Sequence, residues 1–197
     1  MKFYTFCKKF LNSFFMALFK IEVIGAQNVP NDVPLLICSN HLSNWDPVLL
    51  GVAFDRQIRF MAKKELFKIP LLSSLIKLFG AFPVNRGTAD PSSLKTAIKL
   101  LKDGECVGLF PQGKRYKKQD PKNTEIKNGA GMILYRSHAD VLPVSIKTKN
   151  YSILPFRKVY ITIGKPIAYD TLGFEHGTHA EYTKASEIIF EHILELL

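Results

Sequence analysis

Three cysteines occur in the 197-residue sequence, Cys7, Cys38 and Cys106, and no two of them have C-x-x-C spacing. That scarcity argues against a disulfide framework or a zinc site and fits a reducing compartment. Acidic residues are missing where the chain begins, with none among the first 21 positions. Long apolar runs are missing there too. The uncharged stretch Phe10 to Phe19 is too short to span a bilayer, and no small-residue cleavage site follows it, so neither a membrane-spanning helix nor a secretory signal is expected. The chain has no internal repeat, low-complexity tract or linker, and no recognisable nucleic-acid-binding motif.

What is present describes one globular domain. A hydrophobic fraction of 47% and a charged fraction of 22% argue against disorder. The net charge of +10 is unevenly placed: residues 1–169 hold 26 of the 27 Lys and Arg but only 11 of the 17 acids, while 170–197 hold six acids against Lys184 alone. A basic body implies an anionic partner, whether nucleic acid, a phosphorylated substrate or an anionic membrane surface. Residues 1–20 favour the membrane. Wound as a helix, Phe3, Phe6, Cys7, Phe10, Leu11, Phe14, Ala17 and Leu18 share one face, and Lys2, Lys8, Lys9, Asn12, Ser13 and Lys20 share the opposite arc. Such a basic amphipathic helix lies in a lipid interface. The competing reading is a helix packed on its own domain, and the acid-free polar arc favours the interface.

The chain is organised around Asn40-His41-Leu42-Ser43-Asn44-Trp45-Asp46-Pro47. Pro34 to Ser39 reads as a buried strand, and Pro47 suits the first turn of an apolar helix with Asp46 as its N-cap. Across the intervening loop His41 and Asp46 can face each other, and an imidazole held by a carboxylate is a general base. The bland alternative is a loop histidine beside a helix cap. A second strand, Cys106 to Phe110, runs into Pro111-Gln112-Gly113-Lys114-Arg115.

Together these stretches resemble the glycerolipid acyltransferases, the family of 1-acyl-glycerol-3-phosphate acyltransferases. The block N-H-x-x-x-x-D is matched by Asn40, His41 and Asp46, and F-P-E-G-T-R by Phe110, Pro111, Gln112, Gly113, Lys114 and Arg115. An arginine after a short strand is matched by Arg86 within Gly80 to Gly87, and a proline-containing apolar strand by Val141 to Ile146. There are two departures: Gln112 replaces the family glutamate, and Lys114 replaces its threonine.

Elsewhere, strands are predicted at Lys20–Ile24, Gln57–Ala62 and Lys158–Gly164. Helices are predicted after Asp90-Pro91, at Gly129–Arg136 and after the capping box Thr178-x-x-Glu181. A second basic–apolar stretch runs from Lys63 to Phe79, and acyl groove, membrane contact and core all remain open for it. Alternating strands and helices give an α/β fold. With the resemblance, the expectation is a single layered domain (21–197) with a mixed, mostly parallel sheet of about seven strands flanked by helices, behind a membrane-surface helix (1–20).

The resemblance implies transfer of an acyl group from a thioester to the free hydroxyl of a lysophospholipid. His41 is the base and Asp46 orients it. Arg86, Gly113, Lys114 and Arg115 bind the substrate phosphate, while Asn40, Pro111 and Gln112 support the motifs. No metal or cofactor is implied, acyl-coenzyme A or acyl-acyl carrier protein being the donor substrate. The partners implied are an anionic membrane surface, the lysophospholipid acceptor and the donor, with no nucleic acid, at the cytoplasmic face of the cell membrane. Another acceptor, such as glycerol 3-phosphate, or an inactive lipid-binding relative stays open.

Overall fold

The computed structural model describes residues 13–78, 80–84 and 91–197 of the chain. One sheet carries β1 (Ile21–Ile24), β2 (Leu35–Ser39), β3 (Ile58–Lys63), β4 (Phe82–Val84), β5 (Cys106–Leu109), β6 (Asp140–Thr148) and β7 (Val159–Ile163). Their order is β1-β7-β6-β2-β5-β3-β4. The pair β6–β7 is antiparallel and every other neighbouring pair is parallel. The helices are α1 (13–19), α2 (Asp46–Ala53), α3 (Pro70–Leu78), α4 (Pro91–Lys102), α5 (Gly129–Ser137) and α6 (His179–Glu195). This is the mixed, mostly parallel α/β sheet expected of the sequence.

The strand β2 is apolar at successive positions because both of its faces are covered. Leu35 and Ile37 point to one side, where Leu49 and Leu50 of α2, Phe19 of α1, and Leu142, Val144 and Ile146 of β6 pack. Leu36 and Cys38 point to the other, against Ala97 and Leu101 of α4, Ile133 and Leu134 of α5, and Ile189 and Ile193 of α6. On that second side α5 and α6 cross with almost no gap. A Cβ on Gly131 would lie 2.2 Å from the Tyr182 carbonyl oxygen, and the Gly131 N–H donates to Ser186 Oγ at 3.0 Å. Gly131→Ala is therefore expected to destabilise the fold by about 1–3 kcal/mol, the range for overpacking, measured as a lower midpoint in urea unfolding.

The helix α1 turns its two apolar sides to different surroundings. Phe19 is fully buried and stacks with Phe15, while Phe14 and Ala17, both on the predicted apolar face, are exposed. Residues 1–12 of that predicted helix lie outside the described residues, as do Phe79, Asp90 and Arg86. In the second basic–apolar stretch, Lys63, Lys64 and Glu65 are exposed, Leu66 and Phe67 half-buried, and Ile69 exposed; the side chains of Leu71, Leu72, Leu75 and Leu78 are outside the description.

The topology places a switch point at one edge of the sheet. The chain leaves β2 for α2 on the first face, and leaves the adjacent parallel β5 for α5 on the second. Connections that diverge in this way leave room for a ligand beyond the carboxyl ends of the two strands. Since β7 runs against β6 and β1 runs with β7, the 149–158 connection and α1 lie at that same edge.

Candidate active site

His41 and Asp46 meet at this edge. Asp46 is not the N-cap that the Asp-Pro signal predicts: Trp45 holds that position and Asp46 is the first helical residue. Its carboxylate turns back into the loop instead of forward along the helix. Oδ2 lies 2.7 Å from His41 Nδ1 and accepts the N–H groups of Leu42 at 2.6 Å and Ser43 at 2.8 Å. A carboxylate has no proton to give, so this arrangement assigns the ring hydrogen to Nδ1 and leaves the lone pair on Nε2. Nε2 makes no hydrogen bond among the described residues.

Asp46 is completely buried, and burial pushes its carboxyl above the ordinary value against the pull of His41 and the two N–H donors. Oδ1 has no hydrogen-bond partner among the described residues. A desolvated carboxylate so placed favours a positive charge beside it, because low local polarisability strengthens their attraction. The pair can therefore accept a proton at Nε2 and hold the resulting imidazolium.

His41 is fixed on every side. Its ring stacks on Phe110 with centroids 4.0 Å apart, and Phe110 stacks on Phe60 at 6.0 Å. Phe60 occupies the space above Gly108, where a Cβ would lie 2.2 Å from the ring. The His41 N–H donates to Gln112 Oε1 at 2.6 Å, and its carbonyl accepts the Tyr116 N–H at 2.9 Å. Behind it, the Asn40 amide exchanges both hydrogen bonds with the backbone of Ile146, at 2.9 and 2.7 Å, extending the grip of β6 on β2 beyond the regular ladder.

The loop after β5 supplies Pro111, Gln112, Gly113, Lys114 and Arg115. A turn closes from the Gly113 N–H to the Phe110 carbonyl at 2.9 Å, with Gly113 at φ 67°, a conformation suited to glycine. Pro111 is buried and its carbonyl accepts the Lys127 N–H at 2.8 Å. Arg115 is half-buried and its guanidinium is unpaired among the described residues. Lys114 is exposed, 3.9 Å from Glu125 and above the Tyr116 ring, so a neighbouring acid partly offsets its charge. The placement of Arg86 is not described.

Tyr116, Thr124 and Phe60 belong to this constellation without having been singled out in sequence. Only Gly108, a glycine inside an apolar strand, carried a signal of close approach. Neither cysteine of the central strands is placed as a nucleophile: Cys38 and Cys106 are buried, and burial pushes both thiols above the ordinary range. Among the described residues no group of three or more His, Cys, Asp or Glu is gathered for a metal ion.

Such a fold is an α/β domain with a buried His–Asp pair at the diverging ends of β2 and β5. A sequence model described as Acyltransferase matches residues 20–147. The chain belongs to the acyltransferase family. It is 37% identical over 168 residues to the 1-acyl-sn-glycerol-3-phosphate acyltransferase of Bacillus subtilis, covering 83% of this chain and 82% of that one. The protein of the same name from Borreliella burgdorferi is 30% identical over 145 residues, 72% of this chain and 57% of the other. In three dimensions the chain resembles the crystal structure of the 1-acyl-sn-glycerophosphate (LPA) acyltransferase PlsC from Thermotoga maritima, with a TM-score of 0.74 and 28% identity over 99% of this chain and 81% of that one.

Proposed function

We propose that this acyltransferase moves a fatty acyl group from an acyl thioester to the free hydroxyl of 1-acyl-sn-glycerol 3-phosphate, giving phosphatidic acid. The observation that carries the reading is the buried His41–Asp46 contact of 2.7 Å, in a chain whose relatives bear that activity in their names. His41 Nε2 takes the hydroxyl proton as the oxygen attacks the thioester carbonyl. The C–S bond then breaks, and the thiolate leaves with the proton returned from the imidazolium. Acyl-coenzyme A or acyl-acyl carrier protein supplies the thioester, and no cofactor is required.

The acceptor phosphate is assigned to Arg86 and Arg115, each following a strand, with Gly113 and Lys114 alongside. A guanidinium can clamp two phosphate oxygens where a lysine offers a point charge. The N–H groups of Lys114 and Arg115 are unpartnered among the described residues and add donors for phosphate or oxyanion. Asn40, Pro111 and Gln112 hold the motif loops in place. No described helix is long and apolar enough to cross a membrane, and the enzyme is proposed to work as a peripheral or monotopic protein at the cytoplasmic face, with α1 against the lipid.

An assay of the purified protein with labelled acyl donors against lysophosphatidic acid, glycerol 3-phosphate and other lysolipids tests the reading. Turnover confined to an acceptor without a phosphate would overturn it. Within that assay, Arg115→Ala and Arg86→Ala should each raise KM for lysophosphatidic acid by about tenfold or more, as expected for a hydrogen bond to a charged group. The KM for the thioester should change far less. An unchanged acceptor KM in both variants would remove the phosphate assignment.

A further inference from the structure

We propose that the β6–β7 connection is a second lipid-docking element, a hydrophobic wedge that enters an anionic bilayer interface beside α1. Leu154 and Phe156 project from it at 43% and 72% exposure, Phe156 being the most exposed large apolar side chain among the described residues. Phe14 and Met16 of α1 and Trp45 of the His41 loop are also exposed, and they lie at the same edge of the sheet. Exposed apolar side chains thus gather at the edge where β2 and β5 diverge, and such surface marks a binding face.

The connection is held firmly in this outward posture. The Phe156 N–H donates to the Leu18 carbonyl of α1 at 2.6 Å, and the Tyr151 hydroxyl donates to Asp120 at 2.8 Å. Asn150, Tyr151 and Phe156 all adopt positive φ, between 49° and 63°, a region that costs a non-glycine residue about 1–2 kcal/mol. The fold sustains that strain to turn Phe156 away from the core.

Charge selects lipid over an apolar protein partner. No acidic residue lies between Asp140 and Asp170. Lys149, Arg157 and Lys158, with Asn150 and Tyr160, line a recess of about 540 Å³ beside the wedge. Lys158 is neutralised by Glu22 at 2.6 Å, whereas Lys149 and Arg157 have no acidic partner among the described residues. Apolar tips ringed by unpaired cations match the layering of a bilayer, acyl chains below phosphates, and membrane-facing cations of this kind respond to anionic lipid and to salt. The proposal depends on the proposed function only in that the acceptor resides in the membrane.

The test uses the full chain and vesicles of phosphatidylcholine with or without phosphatidylglycerol. Leu154→Ser/Phe156→Ser should lower vesicle partitioning by about tenfold or more, the loss of several buried carbons. Lys149→Glu/Arg157→Glu should abolish the preference for phosphatidylglycerol. Both variants should keep wild-type turnover of a short-chain, monomerically soluble lysophosphatidic acid, which separates failure of docking from failure of the site. A Trp45→Phe/Phe156→Trp protein carries one indole on the wedge, and its emission should shift to the blue on anionic vesicles. An indole that stays in water, or serine variants that bind vesicles as the wild type does, would overturn the proposal.

Discussion

His41→Gln is expected to lower turnover by about 10²–10⁴-fold, the usual contribution of a positioned general base. Glutamine is preferred to alanine for this test because the ring is not peripheral. His41 leaves a strand for a loop, yet it is 4% exposed and stacked on Phe110. Alanine would leave a void there and strip Asp46 of its ring partner, mixing a stability loss into the kinetics. Glutamine fills more of that space than alanine while being unable to take a proton. Asp46→Asn should be comparably severe, for a reason visible only in the geometry. All three donors converge on Oδ2, so an asparagine oxygen can occupy that position and keep the ring tautomer. Its NH₂ then lies where Oδ1 is now, buried without a partner, and the negative charge opposite the imidazolium is gone. The structure therefore predicts a loss in kcat together with about 1–3 kcal/mol of stability. Acceptor KM should move little. Near wild-type kcat in His41→Gln would end the base assignment.

Much of this site was legible because its parts are local. A strand, a five-residue step and a helix signal are enough to bring His41 to Asp46, and the apolar runs 35–39 and 106–109 announced the buried strands. What could not be read was direction and distance. The Asp-Pro signal at the helix start was real, but whether a carboxylate caps forward or reaches back depends on where the preceding loop goes, and Asp46 reaches back. The Asn40–Ile146 exchange spans 106 positions and the Gln112–His41 bond spans 71, separations at which residue identity holds no register. The inward side of α1 went unread for a related reason. A stripe of phenylalanines fits more than one face, and Trp45, packed at a tilt against Phe15 and Phe19, selected the face that turns inward. The helical period fixed that a stripe existed; the tertiary partner decided which one was buried.

Gln112 is where the chain leaves its family pattern, and the structure gives that departure a definite chemistry. The residue is fully buried between two partners. Oε1 must face the His41 N–H, which can only donate, so Nε2 faces Thr124 Oγ1 at 2.7 Å. The Thr124 hydroxyl gives its own hydrogen to the Pro121 carbonyl at 2.7 Å, which leaves an oxygen lone pair for glutamine to donate to. A glutamate here keeps the bond to His41 but presents an acceptor to an acceptor. It can recover only by drawing the Thr124 hydrogen away from Pro121. Gln112→Glu is accordingly expected to retain activity within about tenfold of wild type, at the cost of roughly one neutral hydrogen bond, about 1 kcal/mol. Gln112→Ala loses both bonds, strands the His41 N–H and frees the 111–124 loop, so a drop in kcat of about 10²-fold with a lower unfolding midpoint is expected. Thr124→Ala separates a positioning role from mere packing. Once the hydroxyl is gone Gln112 has no acceptor for Nε2, and changing it to glutamate should cost less in that background than in the wild type, a non-additivity a double-mutant cycle reads directly. Strict additivity would show that the two side chains are not coupled. A wild type that is silent toward lysophosphatidic acid, and that Gln112→Glu brings to life, would instead make the native protein an inactive lipid-binding member of its family.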